Sequence, residues 1–150
     1  MTEILFYHLQ RQPLEKVLPV LLEKSLERGW RALVRATTEE RLSALDDHLW
    51  TYSEESFLPH GTEREQDAGD QPVVLTLSER NPNGAAVLFL VESAPVPEGA
   101  SAYQRLVLLF DGNDEDALAG ARAQWKAVKG TGHDATYWQQ DARGRWEKKA

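Results

Sequence analysis

Residues 103–140 read YQRLVLLFDGNDEDALAGARAQWKAVKGTGHDATYWQQ, and the hydrophobic pattern changes twice along this stretch. The first eight residues end in the apolar run LVLLF, which is typical of a buried strand. Residues 111–130 then carry helix-forming residues between an acidic beginning and a lysine-rich end. The final ATYWQQ suits a last strand or an extended segment. The stretch therefore predicts a strand, a helix and a further extended element in direct succession.

The predicted helix has chemically different ends. Side chains in DGNDED, at 111–116, can accept hydrogen bonds from the free amides of a helix start, and they favour the positive end of its dipole. Lys126 and Lys129 suit the opposite end of the dipole. Gly130 can take a left-handed conformation, so we expect the helix to end there.

Two sides of this helix differ in composition. At about 100° per residue, one side carries mostly small residues that can lie close to a sheet: Ala117, Gly120, Ala121, Gln124 and Val128. The roughly opposite side combines two apolar residues with three cations: Leu118, Arg122, Trp125, Lys126 and Lys129. One interpretation is a pocket that accepts an acidic peptide with an apolar tip. The alternative is an exposed face whose tryptophan covers a neighbouring loop.

The rest of the chain alternates strands with helices. Apolar runs at 4–9, 30–36, 73–77 and 86–91 predict strands. Apolar residues three and four apart predict one helix from Pro13 to Gly29, kinked or restarted at Pro19, and a second from Thr38 to Trp50. Short connections between them indicate right-handed parallel crossovers. We expect a layered α/β fold in a single domain over 1–150, with a flexible tail at about 141–150.

Composition limits the classes of function. The chain has no cysteine, which excludes disulfides, thiolate zinc sites and cysteine nucleophiles. The N-terminal residues do not resemble a targeting signal and no window has the length to span a bilayer, so we expect a cytoplasmic protein. A formal net charge of -7 argues against broad attachment to nucleic-acid phosphates. The C-terminal region is nevertheless basic, and an anionic partner would bind there.

Motifs for a cofactor, a metal or catalysis are missing from the sequence. The first strand-to-helix turn runs from Gln10 to Pro13 without a glycine, and glycine is what lets a backbone approach a phosphate closely. The four histidines lie far apart and lack metal-ligand spacing. Asp116 stands where a calcium loop requires glycine. We therefore predict no cofactor, no metal and no catalytic residues.

The segment LDDHLWTYSEESFLPH, at 45–60, places the aromatic residues Trp50 and Phe57 around an acidic turn. Large aromatic side chains near a surface concentrate binding energy at protein interfaces. Together with Leu58 they form a candidate partner-binding patch. The alternative is that either ring closes the core beneath the long polar segment at 51–71.

Several stretches carry a family resemblance: FYHL at 6–9, LDDHLWTYSEESFLPHG at 45–61, the apolar strands, and ARAQWKAVKGTGHDATYW at 121–138. In this order they resemble the chi subunit of bacterial DNA polymerase III holoenzyme. The resemblance implies a non-enzymatic protein with a three-layer, Rossmann-like α/β/α fold, a mostly parallel sheet and no nucleotide. It also implies a link between the clamp-loader assembly and single-stranded DNA-binding protein, whose acidic C-terminal tail chi proteins bind. The small psi subunit would bind a separate surface.

Carried over by position, the resemblance assigns tail binding to Leu118, Arg122, Trp125, Lys126 and Lys129. It assigns the binding of psi, or of another partner such as a helicase, to Trp50, Phe57 and Leu58. DNA would be contacted only indirectly, and no membrane would be involved. Chi proteins can carry a basic residue and a tyrosine where this chain has Leu118 and Trp125.

Two other functions stay open from the residues alone. A nucleotide-dependent enzyme could use the same type of sheet, although the missing glycine turn argues against it. Direct binding of single-stranded DNA could use Trp138, Arg143, Arg145 and Trp146, because aromatic rings and arginines stack on bases. The overall acidity of the chain weighs against that function.

Overall fold

The computed structural model describes residues 2–51 and 58–150. Within these residues the chain forms three α-helices and eight strands. In chain order they are β1 (Glu3–Leu9), α1 (Leu14–Glu27), β2 (Ala32–Arg35), α2 (Glu39–Thr51), β3 (Gly61–Thr62), β4 (Val73–Thr76), β5 (Val87–Leu90), β6 (Arg105–Asp111), α3 (Glu115–Gly130), β7 (Asp134–Gln140) and β8 (Trp146–Lys148). Short 3-10 turns at Ala68–Asp70 and Ala100–Ala102 complete the regular structure.

The strands form one sheet in the order β3-β4-β2-β5-β6-β1-β7-β8. Every neighbouring pair is parallel except β7 and β8, which are antiparallel. Helices α1 and α2 contact β2, β4 and β6, whereas α3 contacts β6 and β7. The predicted three-layer α/β/α fold with a mostly parallel sheet is confirmed.

The core lies on both faces of the sheet, and β6 contributes side chains to both parts. Successive side chains of a strand point to opposite faces. Val107 and Leu109 pack with α1 and α2, while Leu106, Leu108 and Phe110 pack with α3. A strand buried on both sides reads as a continuous apolar run, which is why LVLLF predicts it.

Helix α1 begins directly after Pro13, whose backbone is extended. Pro19 lies inside the helix and is buried, and the helix runs from Leu14–Glu27 as one element rather than restarting there. Val17, Leu18 and Leu22 bury the same side of α1 against the sheet. Tertiary packing of this side offsets the backbone hydrogen bond that a proline removes.

Two sequence predictions about the C-terminal third are corrected by the structure. Helix α3 ends at Gly130 as predicted, but Gly130 is still helical and the left-handed residue is Gly132, with a φ of 81°. The segment at 141–150 is not frayed, because β8 pairs with β7 and the pairing continues from the amide of Lys149 to the carbonyl of Tyr137 at 2.7 Å.

The predicted polar loop at 51–71 also contains β3, which pairs with β4.

Candidate functional site

Helix α3 carries the candidate site, and its first turn is held by the predicted acidic cap. Asp114 is the N-cap residue, and its Oδ1 accepts hydrogen bonds from the amides of Asp116 at 3.0 Å and Ala117 at 3.3 Å. Glu115 and Asp116 lie in the first turn and Lys129 in the last, which suits the helix dipole at both ends. The predicted cap is confirmed.

Gly112 sets how closely the β6–α3 connection approaches the sheet. A Cβ atom at this position would lie 1.9 Å from Nε2 of His8, on the neighbouring strand β1. Real Cβ contacts are never that short, so only glycine fits over the imidazole. The amide of Gly112 also donates to the carbonyl of Leu9 at 2.7 Å. This contact places the start of α3 directly over His8.

His8, on β1, contacts Tyr137 of strand β7 beneath helix α3. Its Nδ1 lies 2.6 Å from the hydroxyl of Tyr137, and its ring lies 5.2 Å from that of Phe110. Burial and then the charge of Arg122 lower the pKa of His8, while Asp111 opposes them. Burial raises the pKa of Tyr137, and Arg122 opposes that rise. The charge of Arg122 therefore acts on both groups.

Trp125 forms the aromatic part of the site. Its ring meets Phe6 edge to face, with centroids 5.3 Å apart, and meets Tyr137 in the same manner at 5.8 Å. Trp125 and Leu118 are half-buried at the margin of the core beneath α3. The tryptophan is thus held by rings of β1 and β7 while part of it faces solvent.

This packing corrects the predicted division of α3 into two opposite sides. Ala121 and Val128 are buried as expected, but Leu118 and Trp125 also pack against the core rather than lying opposite them. Four residues along a helix amount to only about 40° of rotation, so Trp125 lies beside Ala121. Gln124 reaches the neighbouring loop, where its Oε1 accepts from the amide of Val96 at 2.7 Å.

The exposed part of this surface is cationic. Arg122, Lys126 and Lys129 are all exposed, and among the described residues none of them forms an ion pair. Nζ of Lys129 lies 4.9 Å above the Trp125 ring, which is cation–π distance. Helix α3 therefore presents three exposed cations without a carboxylate partner among the described residues, and one of them lies over the half-buried indole. We call these residues, with Leu118, the α3 cationic face.

Trp50 occupies a different surface, at the end of α2. Its side chain is 54% exposed, and its ring lies 4.5 Å from that of His60. Leu58, in contrast, is 1% exposed and belongs to the core, so it offers no surface to a partner patch and that assignment is corrected. Phe57 lies outside the residues that the structure describes.

A crevice of about 610 Å³ lies at the carboxyl ends of β1 and β6, where many α/β proteins bind ligands. The turn between β1 and α1, at 10–13, lines this crevice and contains no glycine. Arg41 in this crevice is held by Glu15 at 2.8 Å and by Glu92 at 2.6 Å. Asp111 and Asp114 add further negative charge to the lining. The lining therefore carries more acidic than basic side chains, with Arg11 as its other cation, and this balance disfavours phosphate.

In the part of the chain that the structure describes, no group of three or more His, Cys, Asp or Glu side chains is placed to hold a metal ion. No helix within the described ranges has both the length and the apolar character needed to cross a membrane.

The contact between His8 and Tyr137 has no local signal in the sequence, because the two residues are 129 positions apart. The β7–β8 hairpin was not predicted either, although a local signal for it exists. Asp141 Oδ1 accepts the amides of Arg143 at 2.8 Å and Arg145 at 2.9 Å, and Gly144 takes a φ of 82°. An aspartate followed three residues later by glycine is a frequent hairpin pattern.

The sheet order and the two helical layers define a Rossmann-like α/β/α protein, and α3 presents exposed cations on its surface. Residues 1–136 match the family described as "DNA polymerase III chi subunit, HolC", and the chain belongs to this family. A relative in Rickettsia prowazekii (strain Madrid E), named "Probable DNA polymerase III subunit chi", is 26% identical over 117 residues, which cover 74% of this chain and 71% of the relative. The chain is accordingly an accessory subunit of DNA polymerase III, in DNA replication.

Proposed function

We propose that this subunit performs no catalysis and links the clamp-loader assembly of DNA polymerase III to single-stranded DNA-binding protein, by holding the acidic C-terminal tail of that protein on the α3 cationic face. The observation that carries the proposal is that α3 presents three exposed cations, none paired with a carboxylate in the described part of the chain, on the same helix as the half-buried Trp125. Membership of the chi family supports the same function.

The expected ligand is a short tail with several aspartates and a terminal phenylalanine that bears a free carboxylate. Arg122 is assigned to the terminal carboxylate, because a guanidinium binds a carboxylate through two parallel hydrogen bonds and a lysine ammonium does not. Arg122 is exposed, so its guanidinium is accessible to such a ligand.

Trp125 and Leu118 form the apolar wall for the phenylalanine ring. Both are half-buried, so their positions are held by the core while an apolar surface stays accessible. An edge-to-face or offset contact between two aromatic rings contributes about 0.5–1.5 kcal/mol beyond the burial of area. The two rings that already pack against Trp125 hold the indole in place for this contact.

Lys126 and Lys129 are assigned to the aspartates upstream of the phenylalanine. Both are exposed, so their attraction to the tail is screened over about 8–10 Å at physiological ionic strength. The complex should have a dissociation constant on the order of micromolar, because the peptide is short and becomes ordered on binding. Its affinity should fall as salt is added.

Trp50 is assigned to the psi subunit or to another partner, such as a helicase. The support for this assignment is an indole that is 54% exposed at the end of a helix, on a residue that the family resemblance also selects. Tryptophan is among the residues that most often dominate the binding energy of an interface. Phe57 stays a candidate for the same patch.

Titration of a fluorescently labelled tail peptide at several salt concentrations tests the proposed function. We expect Lys129→Ala to reduce the salt sensitivity of binding with a small loss of affinity, and Lys148→Ala, a lysine remote from α3 on β8, to leave both unchanged. Equal salt sensitivity in Lys129→Ala and the wild type, or no binding of the peptide at low salt, would contradict the assignment.

A further inference from the structure

A second surface lies on the opposite side of the sheet from α3. Helix α1 contacts β2 and β6, and α2 contacts β4, so these helices mainly cover the other part of the sheet, and Tyr7 and Trp146 pack at the margin of the core beneath them. The side chains on this part of the sheet share one face by strand alternation and register. We call them the open sheet face: Tyr7, Thr136, Trp138, Trp146 and Lys148.

Three aromatic rings lie together on the open sheet face. Tyr7 and Trp138 are opposite each other in register and stack with centroids 6.4 Å apart and planes 21° apart. Trp146 meets Tyr7 edge to face at 4.8 Å. Nε1 of Trp138 donates to Oγ1 of Thr136 at 2.8 Å, which fixes the orientation of the indole. All three rings are half-buried, so each keeps an accessible part.

Cations flank these rings on two sides. Lys148 is the register partner of Trp138, is exposed, and forms no ion pair with a described residue. At the other side, the charges of Arg105 and Arg28 oppose the rise in pKa that burial causes at Tyr7, and their guanidinium groups lie over the Trp30 ring at 5.1 Å and 5.0 Å. Arg105 is itself paired with Glu3 at 2.9 Å.

The hairpin that borders the open sheet face is positively charged, although the chain as a whole is acidic. Residues 141–150 contain four cations and two acids, against a net charge of -7 for the protein. One of the two acids, Asp141, is engaged with the amides of its own turn, and the other, Glu147, is paired with Lys149 at 2.9 Å. Arg143 and Arg145 are exposed on the turn. The local charge therefore complements a phosphate backbone.

We propose that the open sheet face is a binding surface for single-stranded nucleic acid, with bases stacking on Trp138 and Tyr7 and phosphates contacting Lys148 and the arginines of the β7–β8 turn. A flat sheet with aromatic rings and flanking cations is a general solution for unpaired bases. A duplex hides the faces of its bases, so it cannot use the rings. This surface is separate from the α3 cationic face, and its function does not depend on tail binding.

The experiment is a fluorescence anisotropy titration of a labelled oligothymidylate of about 20 nucleotides, in low salt and then with added salt. We expect the wild type to bind the oligonucleotide, Trp138→Ala to weaken binding roughly 5- to 150-fold, and Trp138→Phe to retain most of it, because stacking on one ring is worth about 1–3 kcal/mol. Lys148→Gln should lower the slope of log affinity against log salt by about 0.7, the value for one phosphate contact on a single strand.

Matched variants separate this surface from the others. Trp50→Ala removes an exposed tryptophan elsewhere, and Arg122→Ala removes a cation from the opposite face, so both should bind the oligonucleotide as the wild type does. Absence of wild-type binding at low salt, equal binding by Trp138→Ala, equally tight binding of a duplex of the same length, or loss of binding in Arg122→Ala would each overturn the proposal. If Trp138→Ala does not fold by circular dichroism, the salt slope of Lys148→Gln decides.

Discussion

Gly112→Ala tests the close contact that positions α3. The added Cβ would lie 1.9 Å from Nε2 of His8, whereas ordinary contacts begin at about 3.4 Å, so the imidazole has to move by roughly 1.5 Å. The ring is held by the 2.6 Å hydrogen bond to Tyr137 and by Phe110, which leaves it little room. The expected result is a large loss of stability from a single methyl group.

The magnitude follows from two costs. Forcing a methyl group into a packed site costs about 1–3 kcal/mol. Displacing His8 from Tyr137 gives up a partly buried hydrogen bond, worth about 0.5–1.5 kcal/mol. We therefore expect Gly112→Ala to lower the free energy of unfolding by about 2–4 kcal/mol. In a protein of this size, each kcal/mol of lost stability lowers Tm by about 2–4 °C.

Urea denaturation followed by circular dichroism measures this change, and Gly120→Ala is the matched control. A Cβ at Gly120 meets nothing within 4 Å, so the same substitution should stabilise that exposed helical position by about 0.5–1 kcal/mol. The double variant Gly112→Ala with His8→Ala should cost less than the sum of the single changes, because the clash is gone. A Gly112→Ala protein as stable as the wild type would refute the reasoning.

Two further predictions concern His8 and the Trp50 surface. Because burial and Arg122 lower the pKa of His8 below its ordinary value of 6.5, the unfolded chain binds more protons below that pH, so the free energy of unfolding should fall as pH drops from about 7. His8→Gln should flatten this dependence in urea midpoints measured from pH 8 to pH 5, and an unchanged slope would contradict it. Trp50→Ala should cost about 1 kcal/mol of stability or less but about 2 kcal/mol or more of partner binding, since the side chain is 54% exposed. Leu58→Ala should instead cost about 2–5 kcal/mol of stability, since that side chain is 1% exposed. Comparable losses of stability in Trp50→Ala and Leu58→Ala would contradict the assignment of Trp50 to a surface patch and of Leu58 to the core.

The elements of the sheet were predictable because their signals are local. A strand buried on both faces, such as β6, produces an apolar run, and the cap at Asp114 is chemistry within a few residues. The order of the strands was not predictable, because β1 pairs with β6 and β7, more than a hundred positions away along the chain. Hydrophobic pattern alone does not select such partners.

The candidate site was predictable in composition but not in geometry. The cations and Trp125 are visible as residues of one helix, whereas the rings of Phe6 and Tyr137 that hold the indole come from other strands. The hairpin at 141–150 has local turn signals in Asp141 and Gly144, but its charged composition suggested a frayed tail. The segment nevertheless forms strand β8, because its backbone pairs with β7.

The most direct test of tail binding compares two peptides against three proteins. One peptide ends in a free carboxylate and the other in an amide, and each is titrated against the wild type and Arg122→Ala, with Arg122→Lys as the variant that keeps the charge but not the paired hydrogen bonds. We predict that amidation weakens binding to the wild type roughly 10- to 150-fold, since a hydrogen bond to a charged group is worth about 1.5–3 kcal/mol, and changes little in Arg122→Ala. Equal effects of amidation on the wild type and on a folded Arg122→Ala protein would contradict the assignment of Arg122 to the terminal carboxylate.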